Sequence, residues 1–370
     1  MSRRRRRMAA LLAVAALGAA GCGSGGGSSA AAEAALPSPP PPAVHRRAGF
    51  ATVSMTGGGS GWALYNTQPY QLVLTTADGG RSWQNVTPRG ISPRGGMVLD
   101  AIGPAAAWAG YLPYDLERDS VLEGTTDGGR QWAPAFPPGG IASAYHPVLD
   151  FLNPSQGFVL FPRRLVATAD GGRSWRMLAP PWQGTPPAAA GMTWTSPQQG
   201  WVYAVRDGQL ALWSTRDGGQ HWTAVALPAG AGGRLIPLGL WAGSAGPRLP
   251  VADPAAGGLG VRVLFPAGRR WRAGAPLRLP SGRLSAAEAG NGVVVAWSGP
   301  HHRPRLERWS PAGGWQGGPL QGLAPGSRVT ALAVSPGGRV YLAAGGHGPV
   351  ELYRLGRGKT VRPLHAQVHL

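Results

Sequence analysis

Scarcity narrows the chemistry of this chain before any motif does. Its 370 residues hold one cysteine, Cys22, so no internal disulfide can form. Lysine occurs once, at Lys359, and acidic residues number 16 against 35 Lys and Arg. No apolar run after Ala20 is long enough to cross a bilayer, and sustained helical periodicity is absent, which excludes an α-rich fold. The histidines offer only His301-His302 and the pair His365 and His369, neither joined by a Cys or carboxylate at ligand spacing, so no metal is expected. Phosphate loops, Gly-x-Ser-x-Gly and dinucleotide fingerprints are missing too, so no cofactor is expected. Basic residues are not interleaved with aromatics as in nucleic-acid binders, so that partner class is set aside.

What is present is repetitive. The 60 Gly and 37 Pro disfavour long helices, and 15 Trp suit repeated packing. Four stretches share the pattern Thr-x-Asp-Gly-Gly-x-x-Trp: Thr76, Asp78, Gly80 and Trp83; Thr125, Asp127, Gly129 and Trp132; Thr168, Asp170, Gly172 and Trp175; Thr215, Asp217, Gly219 and Trp222. Their aspartates are 49, 43 and 47 residues apart, a period that marks a repeat architecture. Asp-Gly-Gly between strand-like runs supplies the positive φ of a tight hairpin. The carboxylate and the Thr hydroxyl can bond to turn N–H groups, and the indole gains a fixed place to bury itself. Turn chemistry thus accounts for every residue, and the aspartates read as structural. The motif resembles the Asp-box, or bacterial neuraminidase repeat (BNR), which closes the outer hairpin of propeller blades.

About twenty residues before these hairpins stands a second signature. It appears as Val148 to Leu160 and Met192 to Tyr203, with looser copies at Val53 to Leu64 and Val98 to Trp108. Each is an apolar strand, a Pro/Ser/Gly turn, and a strand opened by an aromatic residue, so each unit has four strands. Later units keep the rhythm while losing the box. Leu264 to Trp271 has Pro266 where the aspartate belongs, Trp309 to Trp315 is a degenerate copy, and Val329 to Leu342 restores the first hairpin. The fold expected is all-β: one propeller of seven four-stranded blades, with Asp-box hairpins in the first four. Units begin near Phe50, Met97, Pro147, Gly191, Leu235, Leu284 and Val329, and Ala43 to Gly49 is a candidate strand for the last blade.

The first residues read differently. Arg3 to Arg7 form a positive n-region and Met8 to Ala20 a short apolar one. Ala19-Ala20-Gly21-Cys22 follows and resembles a bacterial lipobox, with Ala19 departing from the usual Leu. That resemblance implies lipidation of Cys22 and a chain held on the outer face of the cytoplasmic membrane or elsewhere in the envelope. The expected organisation is 1–22 signal peptide and lipobox, 23–45 a Gly/Ser/Pro tether, and 46–370 the propeller, working as a monomer. The net charge is +19, and about +14 without Arg3 to Arg7. Such a surface favours anionic partners, whether headgroups, acidic polysaccharide or acidic protein loops, although the scattered arginines also fit a compositional bias.

One face of such a ring carries the inter-blade loops and the loops between second and third strands. Candidate binding residues there are Tyr70, Arg94, Tyr114, Arg163, Arg164, Trp182, Arg206, His301 and Arg303, an Arg- and aromatic-rich set. Asp100 and Asp150 hold equivalent places in adjacent innermost strands and are the candidates for a catalytic pair of the glycosidase type. Sialidases share Asp-boxes, but their Arg-Ile-Pro-like segment and Tyr–Glu pair are not recognisable here. Asp-box xyloglucanases are longer, with two propellers enclosing a cleft. The blade signatures over residues 50–230 resemble the photosystem II assembly and stability factors among BNR proteins. That resemblance implies a non-catalytic, often lipid-anchored propeller that binds a membrane-protein partner through an arginine patch. The alternatives are an exo-acting glycoside hydrolase of the sialidase type, and a carbohydrate-binding propeller in which Trp182 and loop tyrosines stack on sugar rings.

Overall fold

The computed structural model describes residues 48–67, 70–89, 96–111, 122–138, 147–229, 234–243, 245–255, 258–268, 270–346 and 348–370. Cys22, Arg94 and Tyr114, with the proposed signal peptide and tether, lie outside the described residues. Seven antiparallel sheets succeed one another along the chain, and one 3-10 turn, Arg357–Lys359, is the sole helical element among the described residues. The protein is a seven-bladed β-propeller. First strands begin at Gly49, Met97, Val148, Ala189, Ile236, Arg283 and Arg328, each within two residues of the start expected from the repeat.

Alternation along each strand puts one side chain in two against the next blade, and the core is divided accordingly. It consists of seven clusters, each shared by two consecutive blades. Trp62 and Val73 of blade 1 meet Met97 and Ala107 of blade 2. Phe158 and Leu165 of blade 3 meet Trp194 and Val202 of blade 4, where the rings of Phe158 and Trp194 stack 3.5 Å apart. The same arrangement closes the ring, with Phe50 and Trp83 of blade 1 packed on Tyr341 and Leu352 of blade 7.

Closure also uses the other end of the chain. Gln367–His369 adds a fifth strand to blade 1, parallel to Ser82–Asn85, with Val368 opposite Trp83. At the N-terminal side only a bridge forms, Phe50 N–H donating to the Val350 carbonyl at 3.2 Å and Val350 N–H to the Ala48 carbonyl at 2.8 Å. The strand expected from Ala43 to Gly49 is thus a short contact at Ala48–Phe50, with residues 43–47 outside the described residues. The final segment covers a blade edge that would otherwise present unpaired backbone groups.

Blade 5 departs most from the pattern. Its first strand is split into Ile236–Pro237 and Trp241–Gly243, and its outer one into Arg270–Ala273 and Leu277–Leu279. Both pairs flank a hairpin of two ten-residue strands, Gly246–Ala255 and Gly258–Ala267. Prolines at Pro237 and Pro276 border the two breaks, as expected of a residue that offers no N–H to a ladder.

Candidate functional site

The four repeated turns come first, because their aspartates are the most conspicuous acids in the sequence. Each Thr hydroxyl donates to the Asp Oδ1 two residues on, at 2.9, 2.9, 2.9 and 2.8 Å. The same hydroxyl oxygen accepts the N–H of the second glycine, at 3.1, 3.1, 2.9 and 2.9 Å. Oδ1 also accepts the N–H of the residue four places on: Ser82, Gln131, Ser174 and His221, at 2.9, 3.0, 2.9 and 3.0 Å. Ser82 and Ser174 add their hydroxyls to Oδ2 at 2.6 Å, and His221 its Nδ1 at 2.7 Å. These bonds favour the charged form. Partial desolvation pushes Asp78 up, but the bonds from Ser82, Thr76 and Arg81 outweigh it and hold the carboxyl at about 2. The hydroxyl and N–H of Ser174 bring Asp170 to about 2, the Gln131 N–H lowers Asp127, and the N–H and ring of His221 lower Asp217. Every turn carboxylate is engaged by its own hairpin and held below its ordinary range, the opposite of what a general acid needs.

The rest of the turn faces the preceding blade. Both glycines have φ between +72° and +87° in all four turns. A Cβ on Gly129 would lie 2.6 Å from that of Val86 in blade 1, and one on Gly172 2.7 Å from that of Ala135 in blade 2. The indole N–H of Trp132 crosses to the Val86 carbonyl at 2.7 Å, and that of Trp222 to the Ala179 carbonyl at 3.0 Å. The first glycine of each turn donates to the turn between first and second strands, as Gly79 does to the Gly59 carbonyl at 2.7 Å. The aspartate turns therefore share a face with those first turns, and the inter-blade loops occupy the other.

Asp100 and Asp150 sit on adjacent first strands, yet each reaches outward to the following blade. Asp100 Oδ2 accepts the Phe151 N–H at 2.7 Å, and Asp150 Oδ2 accepts the Trp194 N–H at 2.7 Å. Both are half-buried toward the axis but ringed by protein, so they feel an interior field. Burial pushes Asp100 up to about 7 despite the Phe151 bond. Burial, joined by the charge of Asp100, does the same to Asp150, also to about 7. A third acid, Glu288 on the first strand of blade 6, is raised by burial and partly offset by the Arg248 charge. Sequence reading passed over Glu288. Its place near the end of a first strand, as with Asp100 and Asp150, was the available signal. Among the described residues no group of three or more His, Cys, Asp or Glu can hold a metal ion.

The loop-face candidates do not form one patch. Arg163 and Arg164 turn the chain between the second and third strands of blade 3, and Arg164 Nη1 donates to the Pro138 carbonyl at 3.0 Å. With Met177, Pro180, Trp182 and Gln183 they line a depression of about 550 Å³. Trp182 is only 5% exposed. Its Nε1–H donates to the Pro162 carbonyl at 3.2 Å and its ring tilts against Trp213 at 6.1 Å, so it supports the depression from beneath. Met177, in contrast, is 56% exposed. Arg303, with His302, Arg278 and Arg305, borders a separate depression of about 330 Å³ across blades 5 and 6, and its Nη1 bonds Gln321 Oε1 at 2.8 Å. His301 is exposed beside it at φ +63°. Tyr70 lies in the corresponding loop of blade 1, its carbonyl accepting the Thr67 N–H at 2.8 Å, and Arg206 ends the second strand of blade 4.

No family profile matches the chain, and no curated protein matches it in sequence. Solved structures do share its architecture. One described as YCF48 bound to D1 peptide superposes with a TM-score of 0.50 at 17% identity, over 72% of this chain and 81% of that one. The GH74 enzyme of Niastella koreensis gives 0.61 at 14% identity over 87% of this chain, which spans only 55% of that enzyme. An ancestral GH74 enzyme gives 0.56 at 11% identity over 87% of this chain and 46% of its own. At such identities the similarity is one of fold, and a propeller scaffold is what these proteins have in common with this chain.

Proposed function

We propose that this chain is a non-catalytic propeller of the Asp-box (BNR) type, similar to photosystem II assembly factors, that binds a protein or envelope partner through the loop face of blade 3. The observation that carries this reading is the blade-3 depression, where Arg163 and Arg164 stand beside the exposed thioether of Met177 over a fixed Trp182 floor. Arginine beside apolar surface is a composition favoured at binding hot spots. Support comes from the fold shared with a protein described as bound to a peptide. Lipidation of Cys22 and an extracytoplasmic location complete the proposal, since an anchored ring is well placed to hold a membrane-protein segment.

A second reading has its own observation. Asp100 and Asp150 are raised to about 7, the range of a general acid, and GH74 enzymes share the fold. In the proposed function both acids instead join the first strands of neighbouring blades. The test is capture from a detergent extract and solubilised cell wall of the source organism, with the full chain as bait. We expect a stoichiometric protein partner that Arg163→Glu/Arg164→Glu abolishes and Asp100→Asn/Asp150→Asn leaves in place. Release of sugar that needs both aspartates would overturn the proposal in favour of a glycoside hydrolase.

A further inference from the structure

Blade 7 differs from blades 1–4 at the position of the aspartate turn. Its outer hairpin turns through Gly356 to Thr360, where Arg357 and Lys359 replace the acid and no carboxylate is present. Lys359 is drawn aside, its Nζ donating to the Gly317 carbonyl of blade 6. Arg357 projects at the turn itself. Arg354 and Arg362 are directly opposed on the two strands of the hairpin, and Arg339 approaches from the neighbouring turn. Like charges placed opposite one another destabilise a sheet unless something neutralises them.

Nothing in the described protein does so. The ion pairs among the described residues are His221–Asp217, Arg262–Asp253 and Arg305–Glu307, none at this hairpin. The nearby carboxylate of Glu351 lies on the other side of its strand from Arg354, where it accepts the Tyr353 hydroxyl at 3.1 Å. Asp78, at the edge of the adjoining hollow, is engaged by Ser82 and Thr76.

The four arginines border a depression of about 810 Å³. A second, of about 570 Å³, shares Arg339 and Arg354 with it and runs across the seam onto Arg81 and the glycine turns of blade 1. Guanidinium groups bind phosphate oxygens in pairs, so several guanidiniums without an ion-pair partner around one hollow suit a phosphate-bearing anion. The hollow is within the size range of small-molecule sites and far larger than inorganic phosphate.

We propose that blade 7, on the aspartate-turn face beside its seam with blade 1, carries a binding site for a phosphate-bearing headgroup, built from Arg339, Arg354, Arg357 and Arg362. The site is on the opposite face from blade 3's depression and stands independently of the partner reading. Residues 339–362 lie beyond the aspartate motifs, and their arginines converge only when the strands of blade 7 pair.

The test uses the full chain carrying Cys22→Ser, so that no acyl group contributes. The probes are glycerol 3-phosphate and phosphatidylcholine vesicles with or without phosphatidylglycerol. Calorimetry and co-sedimentation compare Arg354→Gln/Arg357→Gln with Arg163→Gln/Arg164→Gln. Removing two charge-assisted bonds is expected to weaken binding at least about tenfold in the seam variant alone. Its stability without ligand is expected to stay level or rise, because a like-charge contact is relieved, which separates loss of binding from loss of folding. Binding of glycerol 3-phosphate and of phosphatidylglycerol vesicles, both lost in the seam variant, supports a lipid headgroup as the source. Seam-dependent binding of glycerol 3-phosphate alone supports a soluble phosphate ester. Equal binding by both variants, or tighter seam-dependent binding of polyglutamate than of either phosphate probe, overturns the proposal.

Discussion

Blades 1 to 4 lock their outer hairpins with an aspartate, whereas blades 5 to 7 each manage without one in a different way. Blade 5 carries its ladder further out, so that Pro266 pairs with Trp271 and Ala267 with Arg270. Blade 6 substitutes a hydroxyl: Ser310 Oγ accepts the Gly313 N–H at 3.0 Å. Blade 7 uses the 3-10 turn. Yet Trp315 of blade 6 sends its Nε1–H to the Ala275 carbonyl of blade 5 at 2.9 Å, the same crossing that Trp132 and Trp222 make. The repeated motif therefore joins two separable jobs. The carboxylate shapes one hairpin, and in blades 2, 4 and 6 the indole N–H ties that hairpin to the blade before it, whereas that of Trp83 bonds the Gly80 carbonyl of its own turn.

The largest expected effect tests how far the aspartate turns depend on close approach. Gly129→Ala puts a Cβ 2.6 Å from that of Val86 at φ +85°, while Gly268→Ala in blade 5 meets nothing within 4 Å at φ +65°. Urea unfolding is expected to show a loss of about 3 kcal/mol for the first and about 1 kcal/mol for the second. Equal losses would mean that backbone conformation alone, and not contact with the neighbouring blade, fixes the glycine.

Next comes pH, which contrasts the rim with the axis. Asp100 and Asp150 hold protons in the native state up to about pH 7, but the unfolded chain releases them near about pH 4. The stability they supply is full below about pH 4 and falls as pH rises through about 7, by at least about 1 kcal/mol. Asp78 and Asp170 have the reverse sign: their contribution is present above about pH 4 and is lost as pH falls through about 2. Thermal melts across this range are expected to lose the neutral-side decline in Asp100→Asn/Asp150→Asn. The acid-side decline is expected to diminish in Asp78→Asn/Asp170→Asn. Identical profiles in the two variants would erase the distinction.

The smallest effect sharpens the separation of the two jobs. Trp132→Phe and Trp315→Phe each delete a crossing hydrogen bond and keep most of the ring, so both are expected to cost about 1 kcal/mol in chemical denaturation. A cost confined to Trp132→Phe would show that the crossing depends on the aspartate beneath it.

The blade starts were legible because strand period and turn chemistry are local, and the four motifs repeat them at a steady interval. Ring closure was not, since nothing near Val368 announces a parallel pairing with Trp83. The split strands of blade 5 follow from prolines and glycines whose effect depends on which neighbour each strand must reach. At the candidate sites, Arg163 and Arg164 could be placed together from adjacency alone. Trp182 is a buried floor rather than a stacking platform because Trp213, thirty-one positions later, covers it. Arg339, Arg354, Arg357 and Arg362 were scattered arginines until the last blade folded them around one hollow.

Because the last strand completes the first blade, order of synthesis matters. A growing chain carries Trp83, whose indole is fully covered in the finished ring, with part of its cover absent until blade 7 and residues 367–369 have been made. The six preceding interfaces can form as their blades arrive, but the seventh waits until blade 7 and residues 367–369 have been made. The first blade is thus born as a sticky edge, and residues 367–369 work as a latch that converts an open arc into a ring. Any delay between them is the interval in which this protein is most exposed to joining the wrong neighbour.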